Sequence, residues 1–247
     1  MTYNIFFSPT GTTEKVVKHI GKNFTNIEDI DISKPDLSNY IINTDDFCIV
    51  GVPSFGGRVP EAVALRLQKI RGRHTPAFLL VTYGGRAYED TLKELKDLLE
   101  EQNFICIGAA AMAAEHSIVS QIGAGRPNEE DYKELDTFLL EVKKRLQTEL
   151  CSIEVPGNTP YKEYKVLPME IKASEKCVKC GLCARSCPVK AIIPENPQLT
   201  DHKRCISCMR CVNICPFNAR NADSAKVDMI SEKLKKVCQP NKQNEFF

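Results

Sequence analysis

The stretch YNIFFSPTGTTEKVVKHI, residues 3–20, carries the reading on which the rest depends. Tyr3–Phe7 is an apolar run of strand type that stops at Ser8-Pro9, a turn pair. From Thr12 to Phe24 the side chains Val16, Val17, Ile20 and Phe24 recur at helical spacing. A short apolar strand that hands over at once to an amphipathic helix is the first half of a parallel crossover unit. The alternation continues downstream. Further strands are expected at Ile27–Ile32, Phe47–Val52, Ala77–Thr82 and Phe104–Met112, and further helices at Pro60–Ile70, Glu89–Gln102 and Glu129–Leu150. FCIVGV and AFLLVT are unbroken apolar runs, as in strands covered on both faces. The pattern predicts an α/β fold, a doubly wound parallel sheet of five strands in the order 2-1-3-4-5.

Outside this region the chain changes character. Residues 1–150 hold 17 Lys and Arg against 22 Asp and Glu, whereas residues 151–247 hold 16 against 10. Of 12 cysteines only Cys48 and Cys106 precede residue 150, and eight lie between 177 and 215. The expected organisation is a first domain over 1–150, a linker over 151–172, a second domain over 173–222, and a C-terminal helix and tail over 223–247. The linker carries three prolines and should lie along the first domain. The tail has one helical stretch (Val227, Ile230, Leu234, Val237) and then polar residues that should fray. At 247 residues, 43% hydrophobic and 26% charged, the chain suits a folded globular protein. It contains no apolar run long enough to span a membrane, and its N-terminus lacks the pattern of an export signal, so a cytoplasmic location is expected. A formal charge of +1 argues against a dedicated nucleic-acid binder.

The cysteines follow a repeated spacing. CVKCGLCARSCP (177–188) recurs as CISCMRCVNICP (205–216), each position displaced by 28. In C-x2-C-x2-C-x3-C-P, one short loop wraps three thiolates around a cluster and the fourth ligates the other cluster. One [4Fe-4S] cluster is therefore expected on Cys177, Cys180, Cys183 and Cys215, and a second on Cys205, Cys208, Cys211 and Cys187. A zinc ribbon would need only two C-x2-C pairs, more widely separated. Disulfides would need an oxidising compartment. Cys48 and Cys106 lie inside apolar strands and read as core residues. A ligand role for Cys238, 23 residues beyond Cys215, stays open.

Three loops follow the first, third and fourth strands. Ser8, Thr10, Gly11, Thr12 and Thr13 bring hydroxyls and backbone N–H groups to the start of the first helix, which suits a monophosphate; a Ser/Thr-rich helix cap is the plain alternative. The loop lacks the lysine of a Walker motif and the three glycines of a dinucleotide fingerprint. Pro53, Ser54, Phe55, Gly56, Gly57 and Arg58 follow the third strand, and Tyr83, Gly84, Gly85, Arg86, Ala87 and Tyr88 the fourth. Both flank the switch-point crevice of such a sheet, with glycines for close approach and aromatics for stacking. Arg58 and Arg86 face either a ligand edge, an anionic partner or solvent. His116, in the long 113–128 connection, is a proton donor, a partner contact or an ordinary loop histidine.

On FFSPTGTTEKV, GVPSFGGRVP, VTYGGRAYEDTL and the paired cysteine motifs, the whole chain resembles flavodoxin–ferredoxin fusion proteins of anaerobic bacteria and archaea. The resemblance implies a flavodoxin-like FMN-binding domain and a smaller α+β ferredoxin domain with two [4Fe-4S] clusters. It implies that Ser8, Thr10, Gly11, Thr12 and Thr13 hold the FMN phosphate. Residues 53–57 and 83–88, including Arg86 and Tyr88, would flank the isoalloxazine, with backbone near Gly56 and Gly57 at its N5 side. The chain lacks tryptophan, so Phe55, Tyr83 or Tyr88 must stack on the ring, and it lacks the strongly acidic surface of carrier flavodoxins.

Joining one-electron clusters to a one- or two-electron flavin predicts an electron-transfer protein that couples the two kinds of chemistry. Its expected partner is a redox protein, such as a ferredoxin, a hydrogenase-like protein or a flavin enzyme, and a homodimer is compatible with the chain. The alternative is an FMN-dependent reductase of a small substrate, fed by its own ferredoxin domain. A third reading makes the clusters structural in a nucleic-acid module. It rests on Lys203, Arg204, Arg210 and Arg220, for which a solvated basic face is the simpler account.

Overall fold

The computed structural model describes residues 1–165, 167, 169–238 and 242–247. The N-terminal unit runs β1 (Thr2–Phe6), α1 (Thr12–Gly21), β2 (Ile27–Asp31), β3 (Phe47–Pro53), α2 (Glu61–Leu67), β4 (Thr75–Tyr83), α3 (Thr91–Glu101), β5 (Phe104–Ala113) and α4 (Glu129–Arg145). Its strands pair in parallel in the order β2-β1-β3-β4-β5. This is the flavodoxin-like 2-1-3-4-5 arrangement, with the crevice at the C-terminal ends of β1 and β3.

The two-residue period of the strands divides the core into two layers. On one face Ile5, Phe7, Val50, Val52, Leu79 and Val81 pack with Val63 and Leu67 of α2 and with Leu92, Leu95 and Leu99 of α3. On the other, Phe6, Ile49, Phe78 and Leu80 meet Val16, Val17 and Ile20 of α1 and Leu135, Leu139 and Val142 of α4. Helix α4 begins with a capping box, in which Asn128 accepts from Asp131 N–H while the Asp131 carboxylate accepts from Asn128 N–H. It ends five residues before the expected Leu150. The chain turns there so that Leu146 and Leu150 reach the α1–α4 layer and Ile153 N–H can bond Cys106 O at 2.8 Å. Pro60, expected inside the second helix, is its N-cap, with ψ 132°.

The C-terminal unit is a separate small domain: β6 (Ile171–Ala173), α5 (Leu182–Arg185), α6 (Arg210–Asn213), β7 (Arg220–Ala222) and α7 (Ser224–Lys235), with β6 and β7 antiparallel. Its internal repeat is visible in the backbone. Lys179, Gly181 and Lys190 have φ of 56°, 73° and 51°, and their counterparts Ser207, Met209 and Asn218 have 53°, 60° and 48°. Cys187 Sγ accepts from Ala191 N–H at 3.2 Å, as Cys215 Sγ does from Ala219 N–H at 3.3 Å.

The end of the chain corrects the sequence reading. Instead of fraying, Glu245–Phe246 forms β8, antiparallel to β5, and makes the sheet six-stranded. Phe246 packs on the α1–α4 side and Phe247 on the α2–α3 side, so two adjacent aromatics bury against opposite faces of the sheet. Polar groups hold the approach: Asn244 accepts from Ala113 N–H and donates to Asp131 and Glu134, while Lys242 O accepts from Arg126. The added strand covers the open edge of β5. Its two residues are too short a signal to stand out in a polar sequence.

Candidate functional site

The loops after β1, β3 and β4 meet at one cleft of about 110 Å³. It is lined by Pro9, Thr10, Thr12 and Thr13 from the first loop, Pro53, Ser54, Phe55 and Gly56 from the second, and Thr82, Tyr83 and Gly84 from the third. This position, with the loops of three strands around it, suits a small organic cofactor at a switch point.

The first loop has its groups assigned by local bonding. Ser8 Oγ accepts from Glu14 N–H at 2.9 Å and so caps α1, and Ser33 Oγ accepts from Ser8 N–H. Thr13 Oγ1 pairs with Thr82 Oγ1 at 2.7 Å. Gly11, at φ 93°, is the N-cap and offers no side chain to the helix end. The N–H groups of Thr12 and Thr13 therefore have no acceptor among the described residues. Two free donors at a helix N-terminus, beside the hydroxyls of Thr10 and Thr12, fit an anion such as a phosphate.

Of the proposed ring-flanking residues, the cleft gathers Pro53, Ser54, Phe55, Gly56, Tyr83 and Gly84. Gly57, Gly85, Arg86 and Tyr88 do not line it. Tyr88 is buried, its hydroxyl donating to Glu245 at 2.6 Å, and Tyr83 gives its hydroxyl to Gln243 O at 3.0 Å. Burial pushes the Tyr83 phenol well above its usual pKa; burial and then the Glu245 carboxylate do the same for Tyr88. The C-terminal segment thus holds both tyrosines. Phe55 is left as the half-exposed aromatic of the two loops that faces the cleft.

The two loop arginines are occupied. Arg58 makes two bonds to Glu94, at 2.7 and 2.8 Å, stacks on Tyr161 at 4.9 Å and donates to Lys162 O. Arg86 makes two bonds to Glu89, at 2.7 and 2.9 Å. Asp90, 1% exposed, accepts from the N–H groups of Asn158 and Lys162 and from the Asn158 side chain. Arg58 and Asp90 together hold segment 158–162 on the first domain. Cys238 lies against Gly84 O at 3.8 Å, on the first domain and away from the other C-terminal cysteines.

His116 also lines the cleft. Its Nδ1 accepts from Ile118 N–H at 3.2 Å and Val119 N–H at 3.1 Å, so the neutral ring carries its proton on Nε2. Burial lowers its pKa, which favours that neutral form.

The remaining wall comes from further along the chain: Lys165, Leu167, Ile206, Ser207 and Cys208. Sequence reading named Cys208 only as a cluster ligand and missed the other four, because only docking brings this segment to the loops. Ser207 Oγ accepts from Met169 N–H at 3.2 Å and donates to Leu167 O, which fixes the loop. Ile206 packs on the α2–α3 core layer. Arg66 donates to Pro188 O, Lys190 meets Asp36 at 3.0 Å, and Arg210 reaches Ser8 O at 3.5 Å and Asp31 at 4.0 Å.

In the small domain the cysteines gather in two cavities. One is lined by Cys177, Cys180, Cys183 and Cys215; the other by Cys187, Cys205, Cys208 and Cys211. Each set takes its fourth member from the other repeat. Among the described residues no three His, Cys, Asp or Glu side chains close on a single ion position. Four cysteines around an apolar cavity suit a larger iron–sulfur cluster better than one ion. Burial pushes the thiols of Cys208 and Cys211 up to about 12, so loading that set must release protons. At Cys215 burial is outweighed by N–H groups of Ala219, Phe217 and Arg220, and its thiol lies below the usual range.

The profile of one protein family, the 4Fe-4S dicluster domain, matches residues 169–216. No curated protein matches the chain. Among solved structures, oxidised flavodoxin 1 from Bacillus cereus aligns at 19% identity over 58% of this chain and 97% of that one, with a TM-score of 0.40. Residues 169–216 are thus similar to a 4Fe-4S dicluster domain, and they follow an N-terminal sheet with the flavodoxin-like strand order. Among the described residues, no helix is long and apolar enough to cross a membrane.

Proposed function

We propose that this chain relays electrons between two [4Fe-4S] clusters and an FMN held in the cleft, coupling one-electron and two-electron chemistry. The observation that carries the reading is Cys208, which lines both the cluster cavity of its own set and the cleft formed by the three loops. FMN supplies one- or two-electron exchange and each cluster one-electron exchange when bound. The free N–H groups of Thr12 and Thr13, with the hydroxyls of Thr10 and Thr12, would hold the phosphate. Phe55, Gly56 and Gly84 would bound the ring, and Tyr83 would back it. Cys177, Cys180, Cys183 and Cys215 would hold one cluster, and Cys187, Cys205, Cys208 and Cys211 the other. Ile206 and the buried Ser207 line the cleft beside Cys208. A redox protein is the natural external partner, since the cavity of Cys177, Cys180, Cys183 and Cys215 opens at the exposed Cys180.

Anaerobic protein should show both flavin and iron–sulfur optical signals. On rapid mixing with a one-electron reductant, bleaching of the iron–sulfur band should precede that of the flavin. Flavin reduction that proceeds at the same rate in protein stripped of iron would overturn the relay.

A second reading, an FMN-dependent reductase of a small substrate, is favoured by His116, whose Nε2 carries the proton at the cleft. Turnover of an organic acceptor that falls in His116→Ala, while partner-protein reduction is unchanged, would select it.

A further inference from the structure

The internal repeat breaks at one buried position. With the displacement of 28, Ala191 matches Ala219, and both are 1% exposed. The next pair is Ile192 and Arg220, both 2% exposed. An apolar core residue of the first repeat is thus an arginine in the second, and the structure buries it as fully. The expectation of a solvated basic face is wrong for Arg220: β7 pairs with β6 through Arg220 and Ala173, and this turns the side chain inward.

Its charge is poorly answered by protein. Nη1 donates to Thr200 Oγ1 at 3.0 Å and to Gln198 O at 3.4 Å. Nε and Nη2 are buried with no hydrogen-bond partner, and no carboxylate lies within 4 Å, among the described residues. Arg210, in contrast, has a buried free Nε but finds Asp31 and the Ser8 carbonyl. A buried, unpaired guanidinium costs several kcal/mol (order of magnitude), and an arginine cannot shed its proton to avoid that cost. It requires an anion nearby.

The position supplies candidates on both sides. Arg220 lines the cavity of Cys177, Cys180, Cys183 and Cys215. Thr200, its hydrogen-bond partner, lines the cavity of the other set. A [4Fe-4S] cluster on four thiolates is a net anion, and one added electron makes it more negative. We propose that Arg220 is a buried counter-charge shared by the two clusters, and that it raises their reduction potentials by favouring the reduced state, most strongly at the Cys177, Cys180, Cys183 and Cys215 site. This rests on the two-cluster reading above.

The test compares full-length wild type with Arg220→Lys, Arg220→Gln and Arg220→Ile, the last restoring the repeat residue. Iron and acid-labile sulfide are counted, and midpoints are read by anaerobic titration with a soluble low-potential reductant, followed by electron paramagnetic resonance. The lysine variant should stay close to wild type. The glutamine and isoleucine variants should show at least a tenfold higher oxidised-to-reduced ratio at a fixed ambient potential, about 59 mV lower for a one-electron couple. If the isoleucine variant loses its iron, the lysine–glutamine pair decides, and loss of iron from glutamine but not lysine also supports a charge requirement. An oxidised-to-reduced ratio less than tenfold above wild type at that potential, in a fully loaded glutamine variant, overturns the proposal. An equal shift or an equal loss of iron in the lysine variant does so too, because the effect is then one of shape. Wild-type protein without two-cluster iron content refutes the two-cluster reading itself, a separate outcome.

Discussion

Gly84→Ala tests the cleft through a single methyl group. A Cβ at Gly84 would stand 2.5 Å from Cδ2 of His116 and 2.8 Å from its Cβ, closer than non-bonded carbons approach. The imidazole cannot yield freely, because its Nδ1 holds the N–H groups of Ile118 and Val119. Overpacking of this kind costs about 1–3 kcal/mol. If the ring swings away, two hydrogen bonds go with it, at about 1 kcal/mol each. With the ring displaced the combined cost is therefore about 3–5 kcal/mol, or roughly 6–20 °C in Tm for a chain of this size. Gly125→Ala is the control. Its φ of 75° penalises a side chain, but nothing lies within 4 Å of the new methyl group. That variant should lose about 1 kcal/mol and only a few degrees. The assay is anaerobic thermal unfolding together with titration of the flavin-free protein by FMN. Since Gly84 and His116 share the cleft wall, FMN affinity should fall at least about tenfold in Gly84→Ala and stay unchanged in the control. A Gly84→Ala protein that melts with the control and binds FMN as tightly as wild type would refute the placement of His116.

Asp90→Ala should destabilise the chain by about 3 kcal/mol, because three N–H donors lose their buried acceptor and segment 158–162 is released. Burial opposes its ionisation, but those donors prevail and hold the Asp90 carboxyl below its usual range. A carboxyl whose folded pKa is depressed contributes in full above its unfolded value of about 3.9 and less as pH falls through and below it. The Tm gap between wild type and Asp90→Asn should therefore narrow between pH 7 and pH 3; a constant gap would contradict this. Tyr88→Phe removes the bond to Glu245, so amide exchange should accelerate at Ala109, whose N–H is held by Phe247 O at 3.0 Å, while the centre of β4 is unchanged. Uniform exchange across the sheet would show that β8 is not locally anchored. Cys208→Ala should reduce iron per chain by about half and slow flavin reduction, whereas Cys48→Ala should leave iron content at the wild-type level.

The reading of residues 3–20 carried far because strand, turn and helix there depend on neighbours in sequence. Val16, Val17 and Ile20 must share one helix face whatever lies against it, and FCIVGV must be covered on both sides. The cysteine assignment had the same local basis, since a loop of two-residue gaps leaves little freedom in what it can wrap. The boundaries were less legible. Helix α4 stops at Arg145 because Leu150 and Ile153 have partners on the sheet, which no local pattern records. Tyr88 read as a stacking aromatic but is held by Glu245, 157 residues away in sequence. Arg220 read as a surface charge because composition counts charges without their depth.

Sequence alone determined the α/β alternation, the loops that end β1, β3 and β4, and the two cysteine sets with their crossed fourth members. These follow from periodicity and spacing, which short-range sterics enforce. Only the tertiary structure decided that Cys208 stands at the cleft, that β8 closes the sheet edge and pins Tyr83 and Tyr88, and that Arg220 lies buried between the cysteine cavities. Each of these joins residues far apart in the chain. Such contacts are selected by the surface and charge that docking buries, a quantity that exists only once the whole chain has folded.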